Sequence, residues 1–302
     1  MLSRIVLIAA GAVALGVGCG GEDGRDTADE TRPRLGVVVG FYPLAWAAER
    51  IGGDTVEVTN LTSPGAEPHD LELSARDVAR VRDADLVLLL GAGFQPALED
   101  AAADADGRVV DVLDGLELLE GTEHGHDEEA EEAEAEEYDP HVWLDPVRFA
   151  EIAEQLGAEL DAPAAAIALA RDLRGLHEDA ERGLAGCERR EIVTSHAAFA
   201  YFADRYGLEQ VPIAGVSPEA EPTPRQLAEV VEHVRETGAT TIFFETLVSP
   251  RIAETVARET GAQTAVLNPL EGLTAEEVSR GEDYLSVMRD NLAALRAALG
   301  CR

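Results

Sequence analysis

Leu35-Gly36-Val37-Val38-Val39, then Phe41-Tyr42-Pro43-Leu44-Ala45-Trp46-Ala47-Ala48-Glu49-Arg50-Ile51, then Thr55-Val56-Glu57-Val58-Thr59-Asn60 form the first ordered passage of the chain. The first run is short, apolar and rich in β-branched residues, which reads as a buried strand. The second spaces its apolar residues as a helix does and stops at Gly52-Gly53. The third alternates and is again β-rich. A strand with no polar face needs cover on both sides. The unit therefore predicts an α/β fold with a parallel sheet flanked by helices.

The same alternation continues outward. Ser74 caps a helix to residue 82, with Asp77 in its first turn. Strands at 85–90 and 108–112 bracket a helix at 96–103. After residue 190 the pattern starts again, with strands at 191–194, 210–213, 240–244 and 263–267. Helices are expected at 198–206, 224–236, 250–259 and 283–299. Between the two series lie a helix from Pro146 to about residue 160 and a second from Pro163 to about Leu184, with Asp161 as its N-cap. At 1.5 Å per residue the latter is roughly 33 Å long, a candidate strut. The predicted organisation is an N-terminal lobe at 35–161, an interlobe helix at 162–186 and a C-terminal lobe at 187–302.

The N-terminus reads as a targeting segment. One basic residue, Arg4, precedes an apolar run too short to span a bilayer comfortably, which ends at Gly18-Cys19-Gly20-Gly21. Residues 1–19 are thus expected to be a signal peptide with Cys19 as lipid anchor, and 20–34 a polar tether. This predicts an extracytoplasmic chain, either membrane-anchored or periplasmic. Cys187 and Cys301 remain. In an exported protein they are a candidate disulfide that would pin the C-terminal helix, with two free thiols as the alternative.

The formal net charge is −35 at pH 7. Nucleic acid is excluded as a partner, because phosphate contacts need Lys and Arg. Residues 123–137 are almost entirely Glu and Ala, with His124 and His126 at their start. Such a run stays solvated by self-repulsion, and its functional reading is a low-affinity cation collector.

Three histidines occupy corresponding places. His69 follows the second strand, His141 lies between two Asp-Pro turns after the fourth, and His196 follows the first strand of the second half. Glu271 comes after the last strand. Open α/β sheets bind ligands beyond the carboxyl ends of their strands, so the four can converge if the halves face each other. Three imidazoles and a carboxylate suit zinc. Glu245 ends a strand nearby and is expected to orient an imidazole, an option also open to Asp139 and Asp145. His177 and His233 read as surface residues on helices.

The motifs Pro68-His69-Asp70, Asp139-Pro140-His141-Val142-Trp143-Leu144-Asp145-Pro146, Ser195-His196-Ala197-Ala198-Phe199 and Asn268-Pro269-Leu270-Glu271-Gly272-Leu273 occur in the order of a known family. From about Leu35 onward the chain resembles the zinc/manganese solute-binding proteins of ABC importers, the cluster A-I metal-binding lipoproteins. The resemblance implies two lobes joined by a rigid helix, with metal between them held by His69, His141, His196 and Glu271. It also implies a permease and its ATPase as partners, and a monomeric receptor rather than an enzyme. A histidine at 196 points to Zn²⁺ over Mn²⁺. Two other classes stay open: a zinc hydrolase with an open fourth position and Glu271 or Glu245 as general base, and an adhesin with a structural metal.

Overall fold

The computed structural model describes residues 33–121, 138–218 and 222–302. Cys19, the segment 1–19, most of the tether and the acidic stretch 123–137 with His124 and His126 lie outside the described residues. Arg34–Arg302 form one compact unit.

Its first sheet contains β1 (Leu35–Val39), β2 (Val56–Asn60), β3 (Leu86–Leu89) and β4 (Arg108–Asp111), all parallel, in the order β2-β1-β3-β4. Helices α1 (Tyr42–Gly52), α2 (Ala75–Asp83) and α3 (Pro96–Ala102) connect them. The second sheet repeats the plan with β5 (Glu191–Thr194), β6 (Glu209–Pro212), β7 (Thr241–Phe244) and β8 (Gln263–Val266), ordered β6-β5-β7-β8. Its helices are α6 (Ala200–Tyr206), α7 (Pro224–Thr237) and α8 (Arg251–Thr260). Between the sheets run α4 (Pro146–Glu159) and α5 (Pro163–Leu184), and α9 (Ala275–Arg280) and α10 (Tyr284–Leu299) close the chain.

The central strands β1 and β3 are apolar because both of their faces are covered. On β1, Val37 and Val39 face one core while Val38 faces another; on β3, Leu86 and Leu88 oppose Val87 and Leu89. Ile192 and Phe243 of the second sheet join the same core as Val37, whereas Val193 and Ile242 belong to a third. Alternation of side chains thus gives each sheet an outer face of its own and an inner face shared by both lobes. The shared core is built on Trp46, Trp143, Phe149, Tyr201 and Tyr284. Helix α5 buries Ala166, Leu169, Ala170, Leu173, Leu176, Ala180 and Leu184 into it, the i, i+3, i+4 stripe of an amphipathic helix. It touches α1 and α4 of the first lobe and α6 and α10 of the second.

Cys187 and Cys301 are bonded, tying the residues just past α5 to the end of α10. Several local expectations shift. Asp161 does not cap α5: it takes a left-handed conformation (φ 51°), and Ala162 precedes the helix without a side-chain cap. The tight α4–α5 connection needs that turn more than a cap. Helix α6 starts at Ala200 rather than 198, after a turn at 198–199, with Ala197 N donating to Gly215 O at 2.9 Å. Helix α9 is an addition. Its Thr274–Glu277 capping box is intact, and the threonine, three residues before a glutamate, is its sequence signature.

Candidate metal centre

The carboxyl ends of both sheets meet at one point. His69, His141, His196 and Glu271 each offer a ligand atom there, and all four atoms lie within 4.8 Å of one another. Glu271 Oε1 is the hub: it stands 3.4 Å from His69 Nε2, 3.2 Å from His141 Nε2 and 3.1 Å from His196 Nε2. A tetrahedral zinc ion with ligands at about 2.0–2.1 Å requires ligand–ligand edges of about 3.3–3.4 Å. The three carboxylate edges, at 3.1–3.4 Å, lie close to that length. The side chains of the four residues are 0–4 % exposed.

Each residue is delivered by a different local device. Pro140 and the helical turn Val142–Leu144 fix the His141 backbone, and the loop is held from the second lobe. Tyr201 Oη donates to Asp139 O at 2.8 Å, Trp143 Nε1 to Pro269 O at 2.8 Å, and Tyr284 Oη to Trp143 O. His196 follows β5 directly, and its carbonyl accepts from Thr194 Oγ1 and Gln210 Nε2. Glu271 is aimed by Leu270, which takes φ 59° while its N–H donates to Asn268 Oδ1. A left-handed leucine costs roughly 1–2 kcal/mol, offset by the buried Asn268–Asn291 pair and by Asn268 donating to Glu277. His69 sits in a loop held by Gln95, whose Nε2 donates to Pro68 O at 3.1 Å. Its ring meets Phe94 edge-on at 4.6 Å.

Two imidazoles have carboxylate backing. His141 Nδ1 pairs with Asp139 Oδ1 at 2.8 Å and His196 Nδ1 with Glu245 Oε1 at 2.7 Å. Ser195 Oγ also donates to that glutamate oxygen. These contacts set both rings with Nε2 toward the centre. Asp145 takes a different place from that expected. It touches no imidazole: it caps α4 through Val147 N, pairs with Arg148, and receives Arg205 of the second lobe on both oxygens. Its position after His141 in sequence sends it back toward α4, away from the centre. His177 and His233 lie elsewhere, against Tyr206 and Glu191.

The electrostatics follow from burial and charge. Burial works against a charged His141, but Asp139 and Glu271 outweigh it and lift its pKa to about 9. In His196, burial is likewise overcome by Glu245 and Glu271, and the pKa rises. His69, without a backing carboxylate, is pushed down by burial with only partial relief from Glu271. Burial would raise the Glu271 carboxyl, yet the three histidines hold it well below its ordinary range.

Sequence reasoning passed over Glu67. It is pushed up to about 8, by burial first and then by Glu271. One oxygen accepts from His69 N at 3.2 Å and the other is buried without a partner. The remaining oxygens of Glu245 and Glu271, and His69 Nε2, are also buried without a hydrogen bond. Buried orphans gathered at one point mark a place where polar atoms await a positive partner. The only sequence signal for Glu67 is its spacing two residues before His69.

The model of the family zinc-uptake complex component A, periplasmic, matches residues 37–298. The zinc-binding lipoprotein AdcA of Streptococcus pneumoniae is 38% identical over 277 residues, covering 87% of this chain and 55% of that protein. This chain thus spans about half the length of that relative. The high-affinity zinc uptake system protein ZnuA of Bacillus subtilis is 34% identical over 298 residues, covering 93% of this chain and 92% of its own. The Zn(II)-bound ZnuA-like domain of pneumococcal AdcA superposes with a TM-score of 0.73 at 36% identity, over 88% of this chain and 99% of the domain. The laminin-binding protein Lmb of Streptococcus agalactiae, a bifunctional protein with adhesin and metal transporting activity, gives 0.76 at 33%, again over 88% and 99%.

Proposed function

The chain belongs to the family of zinc-uptake complex component A, and from that premise we propose that it is the extracytoplasmic receptor of a zinc ABC importer. It captures Zn²⁺ as cargo between the two lobes, 35–161 and 187–302, and passes it to a permease driven by its ATPase. His69, His141, His196 and Glu271 are the ligands. Asp139 and Glu245 hold two of the imidazoles in register. Cys19 anchors a monomeric chain to the membrane by a lipid, with 20–34 as tether.

The observation that carries this reading is the place of Glu271 Oε1, at ligand–ligand distance from all three Nε2 atoms. A general base in a zinc hydrolase would stand beyond a metal-bound water, and a substrate would need room. The four side chains are 0–4 % exposed and close on one another, which leaves room for an ion rather than a substrate. Three imidazole nitrogens favour zinc over manganese, which prefers oxygen.

The test is anomalous diffraction at the zinc edge, together with calorimetry of metal-depleted protein. Four protein ligands at a single peak, and a loss of zinc affinity in His141→Ala beyond the roughly 10–100-fold of an outer-shell change, are expected. A peak with three protein ligands and a water, or unchanged affinity in the variant, overturns the receptor reading. Competition between Zn²⁺ and Mn²⁺ decides the cargo.

A further inference from the structure

Glu271 is the one ligand of the four that can bring two atoms to the same cation, yet only one of them faces the centre. Oε1 lies 3.1–3.4 Å from the three Nε2 atoms, whereas Oε2 is buried without a hydrogen-bond partner. A carboxylate that advances one oxygen gives a cation four ligands; one that advances both gives it five. The backbone behind Glu271 sets how far the carboxylate reaches.

That backbone is clamped from two sides. Asn291, buried on α10, takes both main-chain groups of Asn268: its Oδ1 accepts from Asn268 N at 2.8 Å and its Nδ2 donates to Asn268 O at 2.7 Å. The Asn268 side chain then accepts from Leu270 N at 2.8 Å and donates to Thr246, the neighbour of Glu245, at 3.1 Å. From the first lobe, Trp143 Nε1 donates to Pro269 O at 2.8 Å. The indole cannot follow a carbonyl that moves. Its ring is buried against Phe41 at 4.8 Å, Phe94 at 5.6 Å and His141 at 5.1 Å, and its own carbonyl accepts from Tyr284 Oη. Trp143 stands two residues after His141, and Pro269 two residues before Glu271. One hydrogen bond thus couples a ligand of the first lobe to a ligand of the second.

Coordination number is where candidate cations differ. Zinc is satisfied by four ligands in a closed site, while manganese favours six, mainly oxygen. A Glu271 free to turn in Oε2 would supply one more ligand, and that ligand is an oxygen.

We propose that Trp143 and Asn291 are specificity-determining positioning residues: they hold Glu271 to a single inward oxygen, which keeps the site four-coordinate and selective for Zn²⁺ over divalent cations that favour oxygen and higher coordination. This rests on His69, His141, His196 and Glu271 being the ligand set.

Metal-depleted wild type, Trp143→Phe and Asn291→Ala are each titrated with Co²⁺, Zn²⁺ and Mn²⁺. Bound Co²⁺ reports the coordination number, because its visible bands are far stronger in a tetrahedral site than in a five- or six-coordinate one. Wild type should give the strong bands. Trp143→Phe keeps an aromatic ring and loses the N–H. Its Co²⁺ bands should weaken and its zinc affinity fall by about tenfold or more, while its manganese affinity holds or rises. Asn291→Ala frees the same stretch from the α10 side and should behave alike, so it decides the outcome should the first variant fold poorly. Equal weakening of all three cations with the strong Co²⁺ bands retained is the result of a merely structural role, and it overturns the proposal. Weak bands already in wild type would overturn the four-ligand reading of the site, and the proposal with it.

Discussion

Asp139 holds His141 twice: its Oδ1 accepts both the backbone N–H and the Nδ1–H of the histidine, each at 2.8 Å. One carboxylate oxygen thereby fixes the backbone turn, the ring plane and the tautomer that leaves Nε2 free for a cation. Outer-shell partners of this kind are worth about 10–100-fold in metal affinity. Asp139→Ala should weaken zinc binding within that range while leaving four ligands in place. Glu245→Gln should cost less, because a glutamine oxygen still accepts from His196 Nδ1. Calorimetric titration of both variants checks the order. Equal loss in the two would mean that charge, rather than orientation, is what these residues supply.

Zinc affinity should climb with pH up to about 9, the pKa of His141 in the metal-free site. Below that value the cation must displace a proton from a ring held charged by Asp139 and Glu271. The metal-free stability runs the opposite way. His141 is raised above its ordinary 6.5, so its contribution is full below pH 6.5 and is lost as pH rises through about 9. Between those values the melting temperature of metal-free protein should fall while the increment added by zinc grows. Calorimetry in buffers of different ionisation enthalpy counts the protons released. Zinc binding with no proton release at pH 7 would show that the rings are neutral before the metal arrives.

The sheets and the convergence of His69, His141, His196 and Glu271 were legible in sequence for the same reason. Strands covered on both faces are apolar at every position, so Leu35–Val39 and Leu86–Leu89 stand out, and topology then puts whatever follows them at one edge of the sheet. His69, His141 and His196 inherit their meaning from that placement. Direction of side chains was less legible. Asp139 and Asp145 flank His141 in matching Asp-Pro pairs, yet only Asp139 turns to the ring. Asp145 is drawn to Arg205, sixty residues away, through a bidentate contact that no local pattern encodes. Asp161 looked like a cap because caps are common before Pro. The close packing of α4 on α5 demanded a left-handed turn instead. Glu67 was invisible because it is buried beside charged groups of the second lobe, Glu271, Glu245 and His196, that its local sequence does not show.

That burial makes Glu67 testable. Its carboxyl is pushed up to about 8 by burial and by Glu271, so in metal-free protein it is neutral at pH 6 and forced to ionise beside another carboxylate at pH 9. A raised acid contributes stability below its unfolded pKa and loses it as pH passes through the folded one. Glu67→Gln mimics the neutral form. The variant should melt with wild type at low pH and above it at pH 9, in metal-free protein only. Zinc neutralises the local charge and should erase the difference. Matching melting curves at pH 9 without metal would place the Glu67 carboxylate in solvent rather than beside Glu271.

The join of α4 to α5 rests on a glycine. A Cβ on Gly157 would lie 2.3 Å from the Cβ of Ala166, a backbone-borne atom that cannot swing aside. Helix propensity alone favours Gly157→Ala by about 1 kcal/mol. Overpacking a close contact costs about 1–3 kcal/mol, and here the two helices must separate, so the clash should win. The variant should be destabilised by up to about 2 kcal/mol in urea, with an unchanged slope. Ala166→Gly in the same chain removes the obstructing atom and should recover part of the loss despite its own lower helix propensity. Because α5 touches helices of both lobes, zinc affinity is the informative second readout. A fall in affinity together with stability would mean that helix packing far from the metal sets the spacing of His141 and His196. Unchanged affinity would mean that the direct contacts of Tyr201, Trp143 and Arg205 across the lobes are enough to hold it.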